Sequence, residues 1–494
     1  MTDTPPTELV KDRPSPGKVL AEQLAESARK RDKSKDLKPL MRLWPYMRRQ
    51  WGDGLLALLF MLISTSATLA LTAAVKTLVD HLTAADAAAA DQAFVLVGLV
   101  TLVLGIATAL RYFFVTKVGE RVVADLRIDT YAHVLKLDPA FFIRTRTGEV
   151  LSRLTTDVQL LETLTTTSIS LALRNALSLI GGLALLLVVS PGLTGLVLLI
   201  FPVVLLPLFI FGRQVGKLTT KTQDKFAEAV GAAGENLDAL ETVQAFGREA
   251  LASQRFAEAV NLAFKTSVVR MTARAVMTAM VITLIFGGIV AVLWLGAQGV
   301  RSGDMSVGAL VQFVFLSVLV AGSFGNLGET WGDVQKAAGA MQRIGELLSS
   351  KPNIAPPAHP VALPVPARGA IRFEGVSFVY PGRPDLTALH DFSLEIAPGE
   401  TVALVGPSGA GKSTVFRLLL RFYDPMAGRV LLDGVDLKDA DPVDVRSRLS
   451  LVAQDTALFS GSAADNIRFA AEGASDADIR TAATRAQALG FIEA

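Results

Sequence analysis

The 494-residue chain has no cysteine, which excludes disulfides, thiolate metal sites and thiol nucleophiles. Its four histidines, His81, His133, His359 and His390, are scattered with no ligand spacing and read as surface or packing residues. Charge is scarce as well. Only 19% of residues are charged, against roughly a quarter in soluble domains. The net charge is only +2, so nothing points to a nucleic-acid partner. Residues 1–36 are polar and rich in Lys, Arg, Pro and Ser, with no apolar core after the first charges. That stretch reads as a disordered cytoplasmic tail and not as a signal peptide.

Apolar residues are what the chain has in excess. They make up 51% of it, and the mean hydropathy is +0.43. Six apolar runs stand out: Gly54–Val79, Ala93–Val115, Ile169–Val189, Leu193–Phe211, Val276–Gln298 and Val307–Phe324. Each approaches the roughly 20 residues a helix needs to cross about 30 Å of hydrocarbon. Lys and Arg are dense before the first run, between the second and third, and between the fourth and fifth. The other connections are nearly free of them, so the positive-inside rule puts both ends of this region in the cytoplasm.

The two basic connections, 116–168 and 212–275, keep helical spacing and hold little Gly or Pro. The spacing predicts membrane helices that continue well past the bilayer. Their turns are expected at Asp138–Arg144 and Glu241–Arg248, where Phe141, Phe142 and Phe246 need a partner domain to bury them. Ahead of the first run, Leu37–Gln50 mixes Leu, Trp, Tyr and Met with Lys and Arg, as an interfacial helix does. Residues 37–348 are therefore read as a six-helix transmembrane domain with long intracellular extensions. Residues 349–369 carry six prolines and read as a stiff linker.

From residue 370 onward strands and turns alternate. Ile371–Phe373 and Val376–Phe378 read as edge strands, and Thr401–Val405 and Ser450–Ala453 as buried ones. Ser475 with Asp478 reads as a capping pair for a helix running to the last residue. After Thr401–Val405 comes Gly406-Pro407-Ser408-Gly409-Ala410-Gly411-Lys412-Ser413-Thr414, which fits G-x-x-x-x-G-K-[ST], the phosphate-binding loop. Glycines let backbone N–H groups point at a polyphosphate. Lys412 suits the β- and γ-phosphates of ATP, Ser413 suits Mg2+, and the following helix aims its positive end at the same anion.

Several stretches together resemble a half-size ABC exporter over about residues 37–494. Phe378-Val-Tyr380-Pro-Gly is similar to the loop whose tyrosine stacks on adenine, which implies that role for Tyr380. Gln454, 42 positions past Lys412, is similar to the glutamine that touches Mg2+ and the attacking water. Phe141–Arg153 and Glu241–Glu249 resemble the family's two intracellular loops, whose coupling helices sit in a cleft of the nucleotide-binding domain.

The resemblance implies a six-helix α-helical transmembrane domain followed by an α/β P-loop nucleotide-binding domain. That domain is incomplete over 370–494, because no L-S-G-G-Q signature, apolar run with Asp-Glu, or switch histidine is present. Ser460-Gly-Ser462 comes too early for the signature and is expected to open no helix. Val430–Asp433 reads as a strand ending in a turn, and Asp455 is a weak metal candidate.

The implied protein binds ATP and Mg2+ and is embedded in the cell inner (plasma) membrane with both termini cytoplasmic. It pairs as a homodimer or heterodimer of half-transporters and exports a hydrophobic or amphipathic small molecule or lipid. With the catalytic carboxylate missing from the sequence, binding with very slow hydrolysis is expected. The alternative is a non-hydrolysing regulator or inactive partner. An unrelated P-loop kinase on a membrane anchor fits poorly, since an anchor needs one span.

Overall fold

The computed structural model describes residues 36–493, apart from 146, 384, 455 and 472. The stretch 1–35, read as a tail, and the metal candidate Asp455 lie outside the described residues. Two compact units are present. One holds Thr145–Lys351 and the described residues up to Leu137; the other holds Asp138–Arg144 and the described residues from Pro352 onward.

In the first unit a 3-10 turn, Lys38–Leu43, leads into α1 (Trp44–Arg49). This stretch buries Leu43 while Met41 and Trp44 stay exposed, the two-faced pattern of an interfacial helix. Long helices follow: α2 (Trp51–Thr83), α3 (Ala87–Val134), and, past α4 (Pro139–Arg144), α5 (Thr147–Val189). Next come α6 (Pro191–Asp238), α7 (Leu240–Ala245), α8 (Glu249–Ser302) and α9 (Val307–Ser349).

Among the described residues, α2, α3, α5, α8 and α9 are long and apolar enough to cross a membrane. The sixth run falls in α6, whose apolar segment is Pro191–Val204. Pro202 and Pro207 sit inside that helix, and each removes one backbone hydrogen bond. At 1.5 Å per residue α3 spans about 72 Å, more than twice the hydrocarbon thickness. The predicted continuation past the bilayer length is therefore present. In α5 it is carried through two π turns, Arg153–Asp157 and Leu164–Ser168.

Each short, weakly charged connection has a cap. Asp86 accepts from the Ala89 N–H at 3.2 Å, Ser190 from Leu193 at 3.4 Å and Ser306 from Ala309 at 3.0 Å. These satisfy donors that a helix start leaves orphaned. Asp80, near the end of α2, also accepts from the Gly308 N–H at 2.8 Å and the Ser306 hydroxyl at 3.0 Å. That carboxylate ties the last turn of α2 to the first of α9.

Beyond the apolar runs, α3, α5 and α9 share a core in which Val122, Leu126, Val158, Leu161 and Met341 are almost fully buried. Beside it Arg343 meets Asp157 in a two-pronged pair, Nη2–Oδ1 at 2.6 Å and Nε–Oδ2 at 2.9 Å. Helices α6 and α8 pair with each other and join the rest at a cluster of Leu186, Leu193, Val292 and Phe313.

The second unit carries an antiparallel sheet of order β2-β1-β3-β4, with β1 Ile371–Val379, β2 Thr387–Ile396, β3 Ala427–Leu432 and β4 Val435–Asp436. The two predicted edge strands are one strand, β1, and it is central. A bulge-like shift between Phe373 and Val376 separates the two stretches, where Gly375 has φ +57°. Phe373, Val376 and Phe378 fill the core beneath. Asp433 and Gly434, at φ +50° and +84°, close the β3–β4 turn.

Helix α4 belongs to this core. Ala140 is 4% exposed within it. Asp138 accepts hydrogen bonds from the backbone N–H groups of Phe141 and Asn353 and from the Asn353 amide.

Four further expectations are corrected. Thr401–Val405 and Ser450–Ala453 form no strand; Val405 and Val452 are 89% and 94% exposed. A strand is held by pairing along its edges, and neither segment has a neighbour to pair with among the described residues. Ser462 does open a helix, α12 (Ala463–Arg468). Its hydroxyl accepts from the Asp465 N–H while the Asp465 carboxylate accepts from its own. Finally, the helix capped by Ser475 and Asp478, α13 (Asp476–Arg485), stops short of the end. Gln487 turns left-handed and the Ala488 N–H closes back on Ala483 O at 2.8 Å, a Schellman-type end.

Asp157→Ala removes the carboxylate that takes two of the Arg343 guanidinium contacts beside the α3–α5–α9 core. It should cost about 3 kcal/mol, read as a lowered unfolding midpoint of the detergent-solubilised protein. Asp157→Leu combined with Arg343→Met should recover most of that loss. A single variant as stable as the parent would show that the pair does not hold these helices.

Candidate functional site

The glycine loop 406–411 joins the sheet to α10 (Lys412–Leu419). Gly406, Gly409 and Gly411 have φ of +153°, +86° and +88°, a region costly for other residues. Space forbids a side chain as well. A Cβ at 411 would lie 2.6 Å from Ala388 O and 2.8 Å from Leu389 Cδ2, both on β2. The Ala410 N–H closes a turn on Pro407 O at 3.2 Å. Among the described residues the N–H groups of Gly411, Lys412 and Ser413 find no acceptor in the chain. They stand free at the positive end of α10, which suits an anion.

Lys412 folds over the loop, its Nζ donating to Gly406 O at 2.7 Å and Pro407 O at 2.9 Å. Ser413 is exposed on the first turn of α10. Thr414 is buried, and its Oγ1 lies 3.0 Å from the Tyr380 hydroxyl.

Tyr380 follows β1 directly. Its ring stands edge-on against Phe378 at 4.9 Å and against Tyr423 at 5.4 Å. Tyr423 is 6% exposed, and that burial pushes its phenol pKa up. The structure thus brings Tyr380 to the loop through Thr414. Gln454 is exposed on an irregular segment and makes no hydrogen bond to the loop among the described residues.

Arg417 was not singled out from the sequence. Its guanidinium carbon sits 5.7 Å from the Tyr380 ring centre and its Nη1 donates to the Tyr380 hydroxyl at 3.4 Å. The signal was available, since residue 417 is four past Ser413 and shares its helix face. The C-terminal end of α10 is held by Arg446, from α11 (Pro442–Ser447), which donates to Leu420 O and Arg421 O. Among the described residues no cluster of three His, Asp or Glu could hold a metal by itself. A metal here would need oxygen from a bound polyphosphate beside the Ser413 hydroxyl.

Comparison with known families matches residues 55–324 to the ABC transporter transmembrane region and residues 389–493 to the ABC transporter family. The chain is 37% identical over 371 residues to the ATP-dependent permease MDL1, mitochondrial, of Schizosaccharomyces pombe, covering 74% of this chain and 51% of that protein. It is 35% identical over 397 residues to the ATP-binding cassette sub-family B member 10, mitochondrial, of Mus musculus, covering 78% and 54%. It is 32% identical over 466 residues to the ABC multidrug transporter mdr2 of Aspergillus fumigatus, covering 92% and 58%. The chain thus spans little more than half the length of these relatives.

Gly411→Ala meets both backbone strain and a collision with β2, whereas Gly399, at φ +76°, has open space around it. Gly399→Ala should cost about 1 kcal/mol of strain. Gly411→Ala should cost clearly more, by thermal unfolding in detergent. Equal losses would show that β2 does not crowd the loop.

Proposed function

From a chain that belongs to the ABC transporter family, with membrane region and ATP-binding part fused, we propose one half of an ATP-powered exporter. It moves a hydrophobic or amphipathic compound out across a bacterial inner membrane. The observation that carries this reading is α4. The segment Asp138–Arg144 that contains it packs into the sheet-bearing unit, yet it lies in the chain between α3 before it and α5 after it. Through those joins the chain can pass a displacement of that unit to the ends of two long helices. Such a mechanical link is what a nucleotide-driven transporter needs and a tethered kinase does not.

The loop fits a polyphosphate: its donors are free, its lysine is at hand, and a side chain at 411 would fill it. Bound ATP supplies the driving free energy through cleavage of its terminal phosphate. Lys412 exchanges the Gly406 and Pro407 carbonyls for phosphate oxygens. Ser413 turns its hydroxyl to Mg2+, and Tyr380 offers its ring to the adenine. Gly406, Pro407, Ser408, Gly409, Ala410, Gly411 and Thr414 shape the loop, and Gln454 closes on it from its exposed segment. With both ends of the membrane region on the cytoplasmic face, the loop meets cytoplasmic ATP. Two such halves, identical or related, complete a pathway that six helices leave half built.

ATP binding by the purified chain, followed by displacement of a fluorescent nucleotide, tests the site. Lys412→Ala should weaken binding about tenfold or more, the loss of a charge-assisted contact. In a full-length version that carries the catalytic carboxylate, it should also abolish ATP-dependent uptake into inverted vesicles. Undiminished nucleotide affinity in this variant would refute the assignment.

A further inference from the structure

The six apolar runs hold three charged residues, Lys76, Arg111 and Arg174, and no Asp or Glu at all. Two of the three come together. Arg111, on α3, is 9% exposed; its Nη1 donates to Ser170 Oγ on α5 at 2.7 Å. Its Nε is buried and has no acceptor. Arg174 lies one turn past Ser170 on the same helix and is half-buried.

Both sit at similar depth. Arg111 is about 6 Å inside the end of its run and Arg174 about 7 Å inside its own. That is the end from which the polar helical extensions project. Neither arginine has an ion-pair partner among the described residues. On α5 the nearest carboxylates are taken, Glu162 by Arg127 and Asp157 by Arg343, as is Asp333 on α9 by Lys336; on α3 the nearest, Glu120, is nine residues past Arg111, about 13 Å along the helix. A second copy of this chain would bring the same acid-free spans, so pairing supplies no carboxylate from within them.

Two cations held together at membrane depth with an unused donor are stable only with a negative partner, and the spans provide none. We propose that Arg111, Ser170 and Arg174 form a site for an oxyanion of phosphate type. The oxyanion is carried either as the head of a membrane amphiphile or as a free ion. This goes beyond the exporter reading and needs no nucleotide, so its failure leaves that reading in place.

The test is thermal unfolding of the full chain in a neutral detergent, with dodecyl phosphate, inorganic phosphate or dodecyltrimethylammonium added. Stabilisation by dodecyl phosphate but not by inorganic phosphate assigns the site to an amphiphile head; stabilisation by both assigns it to the free ion. Arg174→Gln, at a half-buried position that should tolerate change better than 111, should weaken the response about tenfold or more. Arg174→Glu supplies the missing carboxylate. It should raise the midpoint without ligand and remove the response. The site is refuted if neither anion stabilises the parent, if the cationic detergent stabilises it equally, or if Arg174→Glu responds as the parent does.

Discussion

Seven residues belong to one body by packing and to another by chain. Asp138–Arg144 is folded into the sheet-bearing unit, where the Asp138 carboxylate, 7% exposed, takes the N–H groups of Phe141 and Asn353. Losing that acceptor would leave the Asn353 N–H without its partner, at about 1 kcal/mol, whereas the Phe141 N–H also reaches Asp138 O at 3.1 Å. Ala140 completes the attachment from within the core. The chain leaves this anchor in both directions as helices of 48 and 43 residues. A helix is stiff along its axis, so each shaft can carry a displacement of its end along its length. The transport reading rests on this constraint, because a phosphate loop with no such tether could close without consequence.

Within the second unit the loop depends on the sheet in the same stepwise way. Phe373 and Phe378 fix β1, and β1 delivers Tyr380. The carbonyl of Ala388 and the side chain of Leu389 on β2 leave room for a hydrogen alone at 411. The glycine conformation then sets the first turn of α10. Arg446 satisfies carbonyls at the other end of that helix while stacking 5.1 Å over Phe422. A helix of eight residues has too few internal hydrogen bonds to stand alone in water. It is held from both ends by other elements.

What the residues alone disclosed follows the range of the forces involved. The six apolar runs were legible because hydrocarbon demands about 20 consecutive apolar residues, a condition written along the chain. The Ser475–Asp478 cap was legible because it spans one turn. The same local pattern stands at Ser462 and Asp465, where a likeness of Ser460-Gly-Ser462 to part of a transporter signature masks it. Thr401–Val405 was misread because β-branched content describes what a strand prefers, whereas a strand exists only beside another. Tyr380 was found as a residue, but its contacts with Thr414, Arg417 and Tyr423 join positions up to 43 apart in sequence. No local pattern encodes such pairings.

Solvent decides what the exposed apolar surface of the helical unit means. In α8 the most apolar window is only 6% buried, against 44% in α9. Hydrocarbon covers Phe286 and Trp294 without any protein partner, so their exposure asks for nothing further. Phe226 and Phe264 are different. They line a cleft of about 590 Å3 between α6 and α8 and are 58% and 61% exposed. Phe226 lies 15 residues past the end of the apolar run at Phe211, roughly 22 Å along the helix. Lipid tails do not reach there, and water covers aromatic rings at a cost of about 25 cal/mol per Å2. At that level, among the described residues, more than half of each ring is left uncovered by this chain.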